Sequence, residues 1–502
     1  MRILYVPIDE RPCNVDVVER IVSVTDEVEL VMPPKEQFGY KKQAADYEEL
    51  RKWVSSAPPC EALVLSADML CYGGLLPSRL HHLTEEDRER FIGWLRSLRA
   101  TTDVPLYVAT MIMRTPKYSS DDEEPDYYGV YGAEIYRRAF LQDKQTRDGL
   151  TEIEQDELKS LEQLIPSEYI EDYETRRAFN RSINHALIQL VEEGTIDRLF
   201  IPQDDSAEYG YTAIDQTDVL RAISERRVFE RVHMYPGADE VGATMVGRAY
   251  LDQTGVRPKI YPIWSSTLGP TLIPMYEDRP FSESMKAHID AIGMRLVTTV
   301  EEADIVLAYN VPGRVMQESW DQEKRDVTYT SFRHLPTFIS NIERALESGK
   351  RVIVADSAYA NGGDAELVIW LDERRLLERI DSYKGWNTNC NTLGTTLAQG
   401  IFAQSGKQER IRENVLYHLL DDFVYQSIVR MKMVEAVLPS YGANYFDLQD
   451  EATAISMERD RQMKEAARAI FKHSFQEKLE FQTSAPWNRM FECRLHLKEE
   501  RI

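Results

Sequence analysis

Nine short apolar runs, separated by longer amphipathic stretches, divide most of this chain, and that alternation constrains the fold more than any other feature. The runs 2–8 (RILYVPI), 28–33 (VELVMP), 62–66, 105–113, 198–202, 231–235, 259–264, 304–309 and 351–355 have strand length. The stretches between them, such as 42–57, 84–100, 133–141 and 179–193, repeat apolar residues at three- and four-residue spacing, as amphipathic helices do. The pattern predicts α/β architecture built from βα units around a mostly parallel sheet. Nine strands favour a (β/α)8 TIM-like barrel, with a doubly wound open sheet as the alternative. No GxGxxG or GxxxxGK[ST] follows the first strand, so a nucleotide cradle is not expected. The expected layout is a catalytic, barrel-like domain over 1–404, with 257–313 as an inserted βαβ unit, followed by a mostly helical region over 405–502. There Val415, Leu416, Leu419, Leu420, Phe423, Val424, Ile428 and Met431 form one stripe that reads as core packing.

Charge narrows the partners. The net charge of -24 repels phosphate backbones and anionic lipid heads, so neither nucleic acid nor a membrane is expected to bind. No segment reaches roughly 18 apolar residues, the length that spans a bilayer. The start, MRILYVPIDERPCN, is interrupted by Asp9, Glu10 and Arg11 too early for a signal peptide. Five scattered cysteines without CxxC spacing suit a reducing cytoplasm and argue against structural zinc. The nine histidines make no ligand spacing, so no metal or other cofactor is expected.

Polar, acidic and glycine-rich residues follow the strands: Asp9 and Arg11 in IDERPCN, Asp68 and Tyr72 in SADMLCYGG, Arg114 in MRTPKY, Asp204 and Asp205 in PQDDSAEYG, Asp239 and Glu240 in PGADEVGA, Asn361 and Asp364 in DSAYANGGD. In parallel α/β folds the C-terminal strand ends carry the chemistry. Two adjacent carboxylates do not ionise together cheaply, so one holds a proton near neutral pH. Glycoside hydrolysis needs that division of labour. Between sequence neighbours it favours the substrate-assisted variant, with Asp204 orienting the substrate's acetamide and Asp205 as general acid. The other residues named are expected to contact a small carbohydrate. Trp386 and Asn387, in KGWNTNCNT, offer an apolar face beside amides, as sugars require.

Each feature has a plainer alternative. Asp204-Asp205 would also cap a helix or hold a structural cation, Asp239-Glu240 would favour a helix N-terminus, Arg11 would make an ion pair, and the asparagines near 387 would satisfy backbone N–H groups. Two other functions use the same residues: a divalent-metal hydrolase or isomerase drawing on Asp9, Asp68, Asp204 and Asp239, and a non-catalytic sugar-binding protein.

The segments PIDERPCN, SADMLCYGGLLPSR, IPQDDSAEYG, PGADEVGATMVGRAY and GWNTNCNTLGTTLAQ occur in this order over residues 7–400, with LPSYGANYFDL and PWNRMFECRL beyond. Together they resemble a bacterial family catalogued as a domain of unknown function, the 4127 family. The Asp-Asp after a strand is also similar to the acidic pair of substrate-assisted β-N-acetylhexosaminidases on TIM barrels. That resemblance implies a glycosidase acting on terminal β-linked N-acetylgalactosamine or N-acetylglucosamine, and it covers Asp204 and Asp205 alone.

Overall fold

The structure, a computed structural model, describes residues 1–497. All nine expected strands form, but they do not close into a barrel. They divide between two open sheets. The first contains β1 (Arg2–Val6), β2 (Glu29–Val31), β3 (Ala62–Ser66), β4 (Leu106–Ala109), β5 (Arg198–Gln203) and β6 (Val232–Pro236), in the order β2-β1-β3-β4-β5-β6. The second contains β7 (Lys259–Trp264), β8 (Arg295–Leu296), β9 (Ile305–Asn310), β11 (Arg351–Asp356) and β13 (Ser382–Lys384), in the order β13-β11-β9-β7-β8. Two short pairs complete the strands: β10 (Gln317–Glu318) with β12 (Tyr359–Ala360), parallel, and β14 (Phe481–Ser484) with β15 (Arg494–Leu497), antiparallel.

Strand order explains why closure fails. β7 pairs with β8 and β9, in registers Ile260↔Leu296 and Ile260↔Ile305, and not with β6, which ends the first sheet. Numbered within its own sheet, each set begins 2-1-3-4-5, the doubly wound order in which the chain reverses direction between its first and third strands. The segment 257–313 is therefore no insertion, because β7 and β9 lie inside the second sheet. β3 and β9 are buried at every residue, as parallel strands covered on both faces must be.

The chain forms two compact units. The first comprises 1–10, 30–249 and 276–278, and the second 11–29, 250–275 and 279–502. This division differs from the expected boundary at 404/405: the helical C-terminal region belongs with the second sheet. The stripe from Val415 to Val424 is buried there, as core. Among the described residues no helix is long and apolar enough to cross a membrane.

Behind β3 the chain makes a wide turn of π type over Asp68–Tyr72 and leaves it through Gly73, at φ +87°. A Cβ on Gly73 would stand 2.7 Å from the Ala45 carbonyl oxygen. Gly73→Ala is expected to cost about 1–3 kcal/mol, since the clash is with backbone that cannot rotate away; denaturant unfolding checks it.

Candidate functional site

The first unit gathers Asp9, Asp68, Tyr72, Arg114, Asp204, Asp205, Asp239 and Glu240. Asp204 and Asp205 follow β5, and Asp205 is held in the left-handed region at φ +43°. An isolated bridge between Ile112 and Gln203 prolongs the β4–β5 pairing to this point. The Asp204 carboxylate is anchored from one side: its Oδ2 accepts from Arg79 Nη2 at 2.7 Å. Arg79 is buried and its Nη1 also serves Glu124 Oε1 at 3.0 Å and Glu123 Oε2 at 3.3 Å. Arg114 donates to Glu124 through Nε at 2.9 Å and to Glu123 through Nη2 at 2.8 Å. Its Nη1 stands 3.6 Å from Asp205 Oδ2, too far for a hydrogen bond.

The helix Ser167–Glu192 holds both arginines in place by their backbones. Arg176 Nη1 donates to the Arg79 carbonyl at 3.1 Å and Asn180 Nδ2 to the Ser78 carbonyl at 2.9 Å. Arg177 reaches the carbonyls of Met113 and Arg114 at 2.8 and 3.1 Å, and the Tyr173 hydroxyl donates to that of Arg114. Arg177 is itself neutralised by Asp215 at 2.5 Å.

These contacts place four carboxylates, Glu123, Glu124, Asp204 and Asp205, around two guanidinium groups. Burial, and then the charge of Asp204, lift the Asp205 carboxyl to about 6, against the pull of Arg114 and Arg79. Asp205 nevertheless keeps 25% of its side chain exposed, and Asp204 13%. Asp68, at the end of β3, is buried, and burial lifts its carboxyl to about 7; Arg79 opposes the shift and Asp204 adds to it. Asp68 Oδ2 and Ser206 Oγ are buried without a hydrogen-bond partner.

The remaining predicted residues of this unit have more structural surroundings. Tyr72 is buried, its ring 4.9 Å from that of His81 and 6.1 Å from Phe179. Glu240 accepts from the Ala238 N–H at 2.9 Å just ahead of the helix Val241–Thr254. Asp9 and Asp239 are buried at the ends of β1 and β6. A cavity of about 690 Å³ opens among Arg138, Ile165, Ile170, Glu174 and Arg181, and none of the predicted residues lines it.

Arg11, Asn361, Asp364, Trp386 and Asn387 belong to the second unit. Arg11 lies 3.5 Å from Glu492 and over the Trp487 ring. Asp364 caps the helix Ala365–Glu373 and pairs with the buried Arg333 at 2.7 Å. Asn361 donates to Glu318, and its N–H meets the Asn387 carbonyl at 2.8 Å, tying two left-handed turns together. Trp386 lies 5.9 Å from Phe491, ring to ring. Asp356, which sequence reasoning missed, accepts from Asn310, Tyr383 and the Asp364 N–H at 2.7–2.8 Å. Burial and then Asp364 push its carboxyl to about 7. Asn310, Asp356, Asp364 and Arg333 are all buried, whereas Asp204 and Asp205 are partly open, and this difference selects the first unit's cluster as the candidate site.

Arg79, Glu123 and Glu124 were also missed as site residues. The signals were an arginine inside the apolar LLPSRL and a glutamate pair in the acidic stretch SSDDEEPDYY. Among the described residues no three His, Cys, Asp or Glu side chains are grouped to hold a metal ion.

Two open parallel sheets define an α/β protein, and the adjacent carboxyls of Asp204 and Asp205 follow one of its strands. The chain belongs to the family described as Protein of unknown function (DUF4127), whose model matches residues 3–496. No curated protein and no solved structure matches it.

Arg79→Met removes the counter-charge shared by three carboxylates and is expected to cost about 3–5 kcal/mol in denaturant unfolding. For Asp68 the folded value, about 7, lies above its ordinary 3.8, so the native state keeps the proton longer. Stability from this group is then intact at low pH and is lost as pH rises from about 4 to 7. Asp68→Asn should therefore raise Tm over the unsubstituted protein more at pH 8 than at pH 5; an equal difference at both would refute the assignment.

Proposed function

We propose that the protein is a glycoside hydrolase that removes terminal β-linked N-acetylhexosamine, N-acetylgalactosamine or N-acetylglucosamine, by substrate-assisted retaining catalysis. The observation that carries this reading is the pairing of unlike neighbours: Asp205, partly open and protonated up to about pH 6, beside Asp204, anchored through Oδ2 by Arg79. Among the described residues the Asp204 carboxylate is bonded through Oδ2 alone, and in this reading Oδ1 accepts an acetamide N–H. In the first step the Asp205 proton passes to the glycosidic oxygen as the bond to the anomeric carbon breaks. The substrate's acetamido oxygen attacks that carbon, and the positive charge that spreads to nitrogen is stabilised by Asp204. In the second step Asp205, now a carboxylate, takes a proton from water as the water opens the cyclic intermediate, which restores the acid and retains the configuration. In this reading the enzyme acts in the cytoplasm on small glycosides.

Turnover of aryl β-N-acetylgalactosaminide and β-N-acetylglucosaminide tests the proposal. Asp205→Asn should lower kcat by at least about 100-fold, and Asp204→Ala should suppress turnover through loss of the acetamide contact. Because Asp205 must enter protonated, kcat/KM should fall as pH rises through about 6. Absence of turnover with both substrates in folded protein refutes it.

A further inference from the structure

We propose that Glu124 is a positioning residue that engages Arg79 and Arg114 so that neither guanidinium closes on Asp205, which is thereby left holding its proton; the proposal rests on Asp205 being the acid of the reading above. The geometry is one of occupied donors. Glu124 Oε1 receives Arg114 Nε at 2.9 Å and Arg79 Nη1 at 3.0 Å, one oxygen joining both cations. Arg114 gives its Nη2 to Glu123 at 2.8 Å, and only Nη1, at 3.6 Å, faces Asp205. Arg79 gives Nη2 to Asp204. A full Arg114–Asp205 ion pair would draw the proton off the acid, because an opposite charge in contact favours the ionised carboxyl.

The position of Glu124 costs free energy that a merely structural contact would not require. Its Oε2 is buried with no hydrogen-bond partner among the described residues, so half of the carboxylate is desolvated without compensation from them. The whole charged surround of Asp205 is consistent with this role. Asp204 faces it from its own strand end, Arg79 from the segment after β3, Arg114 and Tyr118 from the segment after β4, and Glu123 from the acidic loop that also supplies Glu124; Asp68 acts on Asp204. Of the four carboxyl groups set around the two cations, Glu123, Glu124 and Asp204 receive direct hydrogen bonds from them, whereas Asp205 has only Arg114 Nη1 at 3.6 Å.

The experiment follows the Asp205 carboxyl itself, so it does not depend on turnover. The C=O stretch of the protonated acid, assigned as the infrared band that Asp205→Asn removes, is titrated from pH 4 to 9 in the full chain. Glu124→Gln keeps the side-chain shape and one acceptor oxygen but removes the charge. It should move the loss of the band about one pH unit lower, with the alkaline limb of kcat/KM moving by the same amount. Arg114→Gln should move both in the opposite direction. An unchanged or raised titration in Glu124→Gln overturns the proposal; if that variant does not fold, an unchanged or lowered titration in Arg114→Gln overturns it. A shifted band in a protein that turns over neither substrate leaves the role of Glu124 standing and removes the glycosidase reading instead.

Discussion

Two guanidinium groups, buried Arg79 and partly buried Arg114, set among four carboxylates are the constraint on which the site in the first unit depends. An arginine taken out of water is tolerated only when its donors are met, and Arg79 and Arg114 are met by carboxylates from two segments, the loop after β4 and the end of β5. Three strand ends and loops are thereby drawn to one point: the turn after β3, the loop after β4 and the end of β5. Burial, and then the charge of Asp204, lift the Asp205 carboxyl to about 6 against the pull of both arginines. The desolvation that makes the cluster costly to assemble is the same effect that raises this carboxyl.

Strands such as β3 and β9 were legible because they are buried on both faces, and burial of that kind forces continuous apolar runs that periodicity detects. Their order was not legible. Whether β7 pairs with β6 or starts a new sheet depends on contacts across the fold, and the runs of the two sheets look alike one at a time. A count of nine strands therefore suggested a barrel where there are two open sheets. The helix Ser167–Glu192 was hard to read for a related reason. Several of its inward positions, Tyr173, Arg176, Arg177 and Asn180, are polar groups that grip backbone carbonyls, so an apolar stripe does not describe its buried face.

Asp204-Asp205 was visible as an unusual pair at a strand end, and Arg114 as a cation with too apolar a neighbourhood to stand alone. The partners of both were hidden by distance along the chain. Arg79 lies 125 residues from Asp204 and 45 from Glu124, and nothing local to the loop at 119–126 shows that two of its glutamates turn inward. Asp364 and Glu240 show the opposite error. Their acidic character is legible, but the first caps a helix and the second bonds a nearby backbone N–H, so an acid after a strand marks a position where charge is useful without saying for what.

The left-handed backbone at Asp205 has a consequence for how the site can vary. At φ +43° the conformation favours glycine, asparagine and aspartate, whose short side chains hydrogen-bond locally, over longer or branched residues. Of the two acidic side chains, the shorter is the better suited to this backbone. The reach of the carboxyl from the strand end is thus biased by a dihedral angle before any ligand is considered, and an exchange of aspartate for glutamate that keeps this turn would add length at a cost in backbone strain.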